Sequence, residues 1–454
     1  MVKQMRFGLL VIGLATLLLF GSVSFTTQSQ GVLSLDMRWC LSAIVLAVES
    51  LLMVWSLYQV AIAIAGLWSP KPPAVQLKRQ PRILCLTAAH NEEKVIAEHI
   101  RNLQAMDYPS NRYDIVILAD NCTDQTARIA RKLGAHVWER HNPSQRGKGF
   151  ALYWALHTKA NLKKYDAVCI FDADNLVDPN FLSVMASHIQ NGHVAIQGYL
   201  DTKNPWDSWV TTSYASAYWF MNRFWQRARI VLGLSAALGG TGFCLSTAVL
   251  RQVPWEAMSL TEDLEYTIRL ILRGYKVHWT SQAHVYDEKP VRYQASVPQR
   301  KRWMQGHWST ALRYSKPLLH SFLFRKKGRM RALDMLIYVW QPAFVLLMGA
   351  NLLLSAAQWF FGTTWFYPWL ITYVPAPVWG VLGAIGFSLP LLAFVLERSN
   401  WRAFAYFPMY LLFNVSWIPV TVEALRHIHN TEWVHTEHNR AINLEEIRRV
   451  RNHP

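Results

Sequence analysis

The chain has 454 residues, of which 52% are hydrophobic and only 17% charged, and its formal charge is +17. That much apolar side chain fills a sizeable core and leaves length over for lipid, which argues against a chain surrounded by water on every side. Five cysteines, Cys40, Cys85, Cys122, Cys169 and Cys244, stand without metal or redox spacing and read as free thiols in a reducing compartment.

Residues 6 to 25 are long enough to cross a hydrocarbon core, which needs about 20 apolar residues. Lys3 and Arg6 ahead of them also suit a secretory signal peptide, but no small-residue cleavage site follows and a second apolar run extends from Leu41 to Trp68. Residues 1–70 therefore read as a hairpin of two spanning helices. Glu49, in the second, needs a helix partner or a water-filled path to offset its burial. Twenty-one tryptophans and the basic balance fit a bilayer interface that meets anionic groups. Nucleic acid and nucleotide diphosphate compete as explanations of the charge, and the apolar segments favour the membrane without nucleic acid.

After Pro70 the pattern changes to strands alternating with helices, over a predicted soluble domain at 71–330. Strands are expected at Arg82–Ala88, Tyr113–Ala119, Ala135–Trp138 and Ala167–Phe171, with helices at Glu92–Ala105 and Asp124–Leu133. Such alternation implies a mostly parallel α/β sheet covered on both faces. Ligands of these sheets bind beyond the carboxyl ends of the strands, where Asn91, Asp120 and Asp172 fall. The aromatic and basic stretches 206–234 and 303–324 suit amphipathic helices lying in the headgroup plane. The run Arg325-Lys326-Lys327-Gly328-Arg329 is expected to face the cytoplasmic leaflet. Residues 331–428 read as a second membrane bundle, with spans at 335–361, 376–396 and 403–425 and a weaker candidate near 357–374. Three crossings would put the 429–454 tail outside and four inside; a cytoplasmic tail is preferred.

Several clusters carry chemistry. Asp172-Ala173-Asp174 follows an apolar strand, so two carboxylates project together and suit a hard divalent cation, Mg²⁺ or Mn²⁺, held against phosphate oxygens. Asn91, Glu92 and Asp120 suit recognition of a base and ribose, while ordinary capping explains Asn91 and Asp124 as well. Arg146-Gly147-Lys148-Gly149 is a flexible basic loop within reach of a diphosphate. Thr261-Glu262-Asp263 opens a helix; Thr261 fits an N-cap, and Asp263 fits a general base on an acceptor hydroxyl. Gln299-Arg300-Lys301-Arg302-Trp303 joins fork donors to an aromatic plate for a sugar ring, or else snorkels at an interface.

In this order the clusters resemble the processive branch of family 2 glycosyltransferases, which includes cellulose, chitin, hyaluronan and poly-N-acetylglucosamine synthases. The resemblance covers residues 80–310 and the arrangement of the flanking membrane segments. It implies a GT-A fold set between transmembrane helices, in an integral cell-membrane protein with a cytoplasmic catalytic domain. It also implies inverting transfer of a hexose or N-acetylhexosamine from a UDP-sugar to a growing β-linked polysaccharide, with export through the same chain. Asp120 would then contact the nucleotide, Asp172 and Asp174 diphosphate and metal, and Asp263 would be the base. Gln299, Arg302 and Trp303 would hold pyrophosphate and acceptor. Gly239-Gly240-Thr241-Gly242-Phe243 falls where the family lines the acceptor site, without the arginine many members have soon after. Trp433-Val434-His435-Thr436 resembles a tail motif that closes over the nucleotide. His427, His429, His435 and His438 lack the companions of a metal site. Transfer of one sugar to a membrane lipid remains the alternative, and N-acetylglucosamine is slightly preferred over glucose.

Overall fold

The computed structural model describes residues 35–68, 74–75, 77–361, 376–397, 399–430, 436 and 438–452. The expected span at 6–25 with Lys3 and Arg6, the part of the 357–374 candidate beyond 361, and Trp433, Val434 and His435 lie outside them.

A long helix, α1 (Leu35–Leu67), leads to β1 (Ile83–Ala89). The domain then runs through α2 (Ile96–Gln104), β2 (Tyr113–Asp120), α3 (Thr126–Lys132), β3 (His136–Arg140), α4 (Lys148–Trp154) and β4 (Ala167–Asp172). It continues with β5 (Leu176–Val177), α5 (Phe181–Gln190), β6 (Ala195–Thr202), α6 (Trp209–Met221), β7 (Phe243–Ser246), α7 (Glu262–Leu272) and β8 (His278–Asp287). The eight strands form one sheet in the order β3-β2-β1-β4-β7-β6-β8-β5. Pairs β1/β2, β1/β4, β2/β3 and β6/β8 are parallel, and β4/β7, β6/β7 and β5/β8 antiparallel.

The central strands are continuous apolar runs because helices cover both faces. Leu84 and Leu86 point into one core with Val116, Val168 and Ile170, while Ile83 and Cys85 point into the other with Cys169, Cys244 and Phe181. Within the domain the expected strands lie within two residues of those observed. Helix α2 starts at Ile96 instead of Glu92 because the preceding turn is tied to a neighbour: Glu92 N–H donates to Thr126 Oγ1 at 2.8 Å and Glu93 N–H to Asp124 Oδ2 at 3.0 Å. Parallel register places Ala88 beside Asp172 and Asp120 beside Arg140, so the strand ends lie level and build one rim.

The stretch 206–234 continues α6 through a wide π-type turn, Asn222–Arg227, into Ala228–Val231. Val210, Tyr214, Trp219, Phe224 and Trp225 along it are buried. Next come α8 (Tyr293–Phe324), which contains 303–324, α9 (Arg329–Val339), α10 (Gln341–Phe361), α11 (Ala376–Leu396), α12 (Phe407–Val415), α13 (Trp417–Arg426) and α14 (Leu444–Asn452). Among the described residues, Ala43–Leu67 and Pro377–Leu396 are long and apolar enough to cross a membrane. A third candidate, Arg329–Val339 with Gln341–Leu353, is bent by 49°. Pro342 lies just past the bend, where it lacks an N–H and crowds the preceding turn. The segment 403–425 is broken into Arg402–Ala405, α12 and α13, with Pro408 and Pro419 in the first turns of the last two.

Two buried ion pairs join these helices to the sheet domain. Arg229 Nε meets Asp334 Oδ2 at 2.8 Å, and Tyr58 of α1 donates to Asp334 Oδ1 at 2.6 Å. Arg223 meets Glu397 at 3.2 Å, and Tyr199 of β6 donates to the same carboxylate at 2.9 Å.

Candidate active site

A cavity of about 1860 Å³ opens at the carboxyl ends of β1, β2 and β4 and continues between the helices that follow α8. Glu92, Asp120, Lys148, Asp172, Asp174, Asp263, Gln299, Arg302 and Trp303 all line it. Asn91 does not. Its backbone takes a left-handed turn (φ 55°) and its carboxamide oxygen accepts the Thr123 N–H at 2.8 Å, so it shapes the rim from outside.

Asp120 ends β2, and one carboxylate oxygen accepts from Arg140 Nη1 at 2.6 Å. Burial pushes the Asp120 carboxyl up, and Arg140 offsets only part of the rise. Arg140 also reaches the Gln145 carbonyl, so the pair fixes the loop leading to Lys148. Composition and spacing gave no signal for this partner, because it depends on β2/β3 register.

Lys148 is the first residue of α4, and its ammonium meets the Asp172 carboxylate and donates to the Gly240 carbonyl at 2.7 Å. Asp172 N–H donates to Thr241 Oγ1 at 3.0 Å, which binds the glycine-rich loop to the end of β4. Gly240 holds φ +83°, and a Cβ there would lie 3.6 Å from Asp263 Oδ2. Lys148, Asp172, the Gly240 turn and Asp263, far apart in the chain, thus close on one another. Thr261 precedes α7, yet its hydroxyl caps nothing and is buried without a protein partner among the described residues.

Burial pushes the Asp263 carboxyl up to about 6, with Lys148 and the Leu264 N–H opposing the rise. Glu262 is raised by burial and then by the Asp263 charge. Burial lowers Arg302, with Glu262, Asp172 and Asp263 as the charges that oppose the shift, so this guanidinium faces the acids. Within the same motif Arg300 is fully buried against Tyr293, Phe413 and Trp417 and donates to Ser416 Oγ at 2.8 Å, while Lys301 pairs with Glu423. Helical spacing thereby divides the motif into a cavity face, Gln299, Arg302 and Trp303, and an anchoring face. Trp303 stacks on Trp417 at 6.4 Å, a flat apolar plate at the cavity wall.

Asp174 sits deeper. Its oxygens accept from Asn175 Nδ2 at 3.1 Å and Glu288 N–H at 2.8 Å. Burial alone would raise its carboxyl, but His438 and Lys203 hold it below the ordinary value. His438, on the tail, donates from Nδ1 to the Glu92 carboxylate at 2.9 Å, and Asn439 and Arg440 N–H both donate to the Glu288 carboxylate at 3.0 Å. No group of three His, Cys, Asp or Glu among the described residues holds a metal by itself. Asp172 and Asp174 nonetheless offer the hard oxygens that Mg²⁺ or Mn²⁺ takes when substrate phosphates complete its shell, so the donor set fits a cation shared with a diphosphate.

Residues 81–306 match the family described as glycosyltransferase-like family 2. They are a family 2 glycosyltransferase domain. The chain is 24% identical over 374 residues to the probable glycosyltransferase YdaM of Bacillus subtilis, covering 77% of this chain and 83% of that one. It is 29% identical over 292 residues to the beta-monoglucosyldiacylglycerol synthase of Synechocystis sp., covering 59% of each. It is 26% identical over 250 residues to the poly-beta-1,6-N-acetyl-D-glucosamine synthase of Staphylococcus aureus, covering 54% of this chain and 58% of that one. The chain thus spans less than two thirds of these two synthases. Among solved structures, the mannosyltransferase PcManGT of Pyrobaculum calidifontis, in complex with GDP-Man and Mn²⁺, superposes with a TM-score of 0.51 at 18% identity, covering 85% of this chain and 99% of that one. That likeness extends the shared α/β fold beyond the matched domain.

Proposed function

We propose that this protein is an inverting, cation-assisted glycosyltransferase of the cell membrane, with its catalytic domain on the cytoplasmic side. It moves a sugar from a UDP-sugar to a growing β-linked polysaccharide and passes the product out between its own helices. One observation carries this reading: a single cavity joins the acids at the strand ends to the aromatic plate of Trp303 and Trp417 and runs on past Tyr410 and Asn414 among the helices.

In the proposed reaction, Asp120 accepts from the base of the nucleotide, with Glu92 beside it. Lys148 and Arg302 lie against the diphosphate, and Gln299 and Trp303 seat the acceptor sugar. Asp263 takes the proton of the attacking hydroxyl as its oxygen bonds to the anomeric carbon. The bond to the diphosphate breaks on the opposite face, so the configuration inverts, and UDP leaves with the bonding pair. A cation held by Asp172 and Asp174 would offset the charge that develops on the departing diphosphate. The raised Asp263 carboxyl suits a base that must release its proton again near neutrality.

The donor sugar is read as N-acetylglucosamine, which the likeness to the Staphylococcus synthase supports. A second reading keeps the chemistry and changes the acceptor to a membrane lipid. It is favoured by the apolar far wall of the cavity, where Met348, Leu352, Leu411, Val415 and Ile418 stand. Purified chain supplied with a panel of radiolabelled UDP-sugars tests both. Polymer of increasing size supports the first reading, label extracted with lipid supports the second, and the absence of UDP release from every donor refutes both.

A further inference from the structure

We propose that His307 is an acceptor-binding residue, whose imidazole holds a hydroxyl of the incoming acceptor beside Asp263, one helical turn beyond Trp303. This rests on the glycosyl-transfer reading above and adds to the site a residue that none of the acidic or Gln-Arg-Trp motifs contains.

Gln299, Trp303 and His307 are spaced by four along α8, so they form one stripe of the helix, and each lines the cavity. Three polar atoms on this wall, Gln299 Oε1, Arg302 Nε and His307 Nδ1, are shielded from the surface and have no protein partner among the described residues. Buried polar atoms are nearly always paired, so three orphans along one wall of a cavity mark where a polar ligand completes the set. Other polar side chains of this helix stretch are engaged elsewhere: Gln305 donates to the His427 carbonyl at 2.8 Å, and Lys301 pairs with Glu423.

Gly306 brings this part of α8 against the start of α7, the helix that carries Asp263. A Cβ on Gly306 would lie 2.4 Å from the Thr261 methyl, so α8 runs in direct contact with the residue that opens α7. His307 is the next residue along, and its ring stands edge-on to Tyr338 at 5.7 Å. Tyr338 in turn adjoins Gln341 and Val345, which carry the cavity wall on between the helices. His307 is therefore on the helix side of the acids, away from the strand ends where Asp120 and Asp172 stand. Burial pushes its imidazole down to about 4, which leaves a neutral ring with one donor and one acceptor nitrogen. That pair complements vicinal hydroxyls on a sugar or a glycerol.

The test uses the full chain, with UDP-N-acetylglucosamine as donor and either a β-linked N-acetylglucosamine oligosaccharide or diacylglycerol as acceptor. His307→Phe keeps the ring packing on Tyr338 and removes both nitrogens; His307→Asn restores a polar atom near the Nδ1 position. The expected result is a loss of roughly tenfold in transfer for the Phe variant, seen in the acceptor KM or in kcat. Acceptor-independent UDP release and the donor KM stay within about twofold of wild type, and the Asn variant recovers part of the loss. Unchanged transfer by the Phe variant overturns the assignment, as does an equal fall in transfer and UDP release with no recovery by Asn. A wild-type chain that releases no UDP from any donor sinks the glycosyl-transfer reading itself, and the role of His307 with it.

Discussion

The imidazole of His438 bonds the carboxylate of Glu92 at 2.9 Å, joining residues 346 positions apart in the chain. Beside it, Lys94 donates to Asn439 at 2.6 Å, and Ile442 and Ile447 pack with Leu176 and Tyr286. The tail is thus held across the rim of the cavity by the His438–Glu92 pair, by the bonds of Asn439 and Arg440 to Lys94, Glu288 and Asp207, and by an apolar contact. Glu92→Gln is expected to loosen residues 436–452, raising their backbone hydrogen exchange and weakening donor binding several-fold, with the sheet unaffected. Unchanged exchange would show that the remaining contacts of Asn439, Arg440, Ile442 and Ile447 hold the tail without Glu92.

Asp263→Asn is expected to lower transfer by about 10²–10⁴-fold while UDP binding stays near wild type. Equal loss of both would count against a base. The pH dependence has a definite sign. Transfer rises as pH passes through about 6 and the base form accumulates. Stability moves the other way: the folded chain holds this proton more tightly than the unfolded one, so stability falls from pH 3.8 to about 6 and stays lower above. The Asn variant should therefore melt higher than wild type at pH 7, with the difference vanishing below pH 3.8.

Arg140→Met strands the Asp120 carboxylate, whose side chain is only 9% exposed. Loss of one partner of a buried pair costs ~3–5 kcal/mol. Unfolding of Arg140→Met, of Asp120→Leu and of the two together measures the coupling, and the double variant should recover most of the stability while binding UDP poorly.

Gly306→Ala places a methyl against Thr261 and must push α8 away from α7. Overpacking of this kind costs ~1–3 kcal/mol. Transfer should fall further than stability, because Trp303 and Asp263 lie on the two helices being separated. A melting curve alongside an activity assay distinguishes this from general unfolding.

Removal of divalent cations by a chelator should abolish transfer and restore it on addition of Mg²⁺ or Mn²⁺. Asp172→Asn and Asp174→Asn should each weaken that restoration. Activity that persists in chelator would remove the cation from the mechanism.

Much of the domain could be read from the chain because its informative residues end strands that are apolar throughout. Asp120 and Asp172 follow such runs, and register brings them to one rim without any further signal. Partners fixed only by distant packing were not legible in this way. Arg140 meets Asp120 through strand pairing, and His438 meets Glu92 through the docked tail. His307 carries no motif and shows itself only by the cavity it faces. The helices after α8 are not the straight runs that hydropathy suggests where proline intervenes: 335–361 bends and 403–425 is divided, since hydropathy records apolar length and is blind to a missing N–H.

The ion pairs of Arg223 and Arg229 also bear on how the protein can be handled. Both arginines, with Tyr199, lie inside 81–306, whereas Glu397, Asp334 and Tyr58 lie beyond its limits. Excision at those limits would strip both guanidinium groups of their carboxylates and bare Phe224 and Trp225, which pack with Trp55 and Ala393, and newly exposed apolar surface of this kind drives misassembly and clumping. Crystallisation or assay of an isolated fragment would thus begin from a damaged molecule, and the whole chain is the sound starting material.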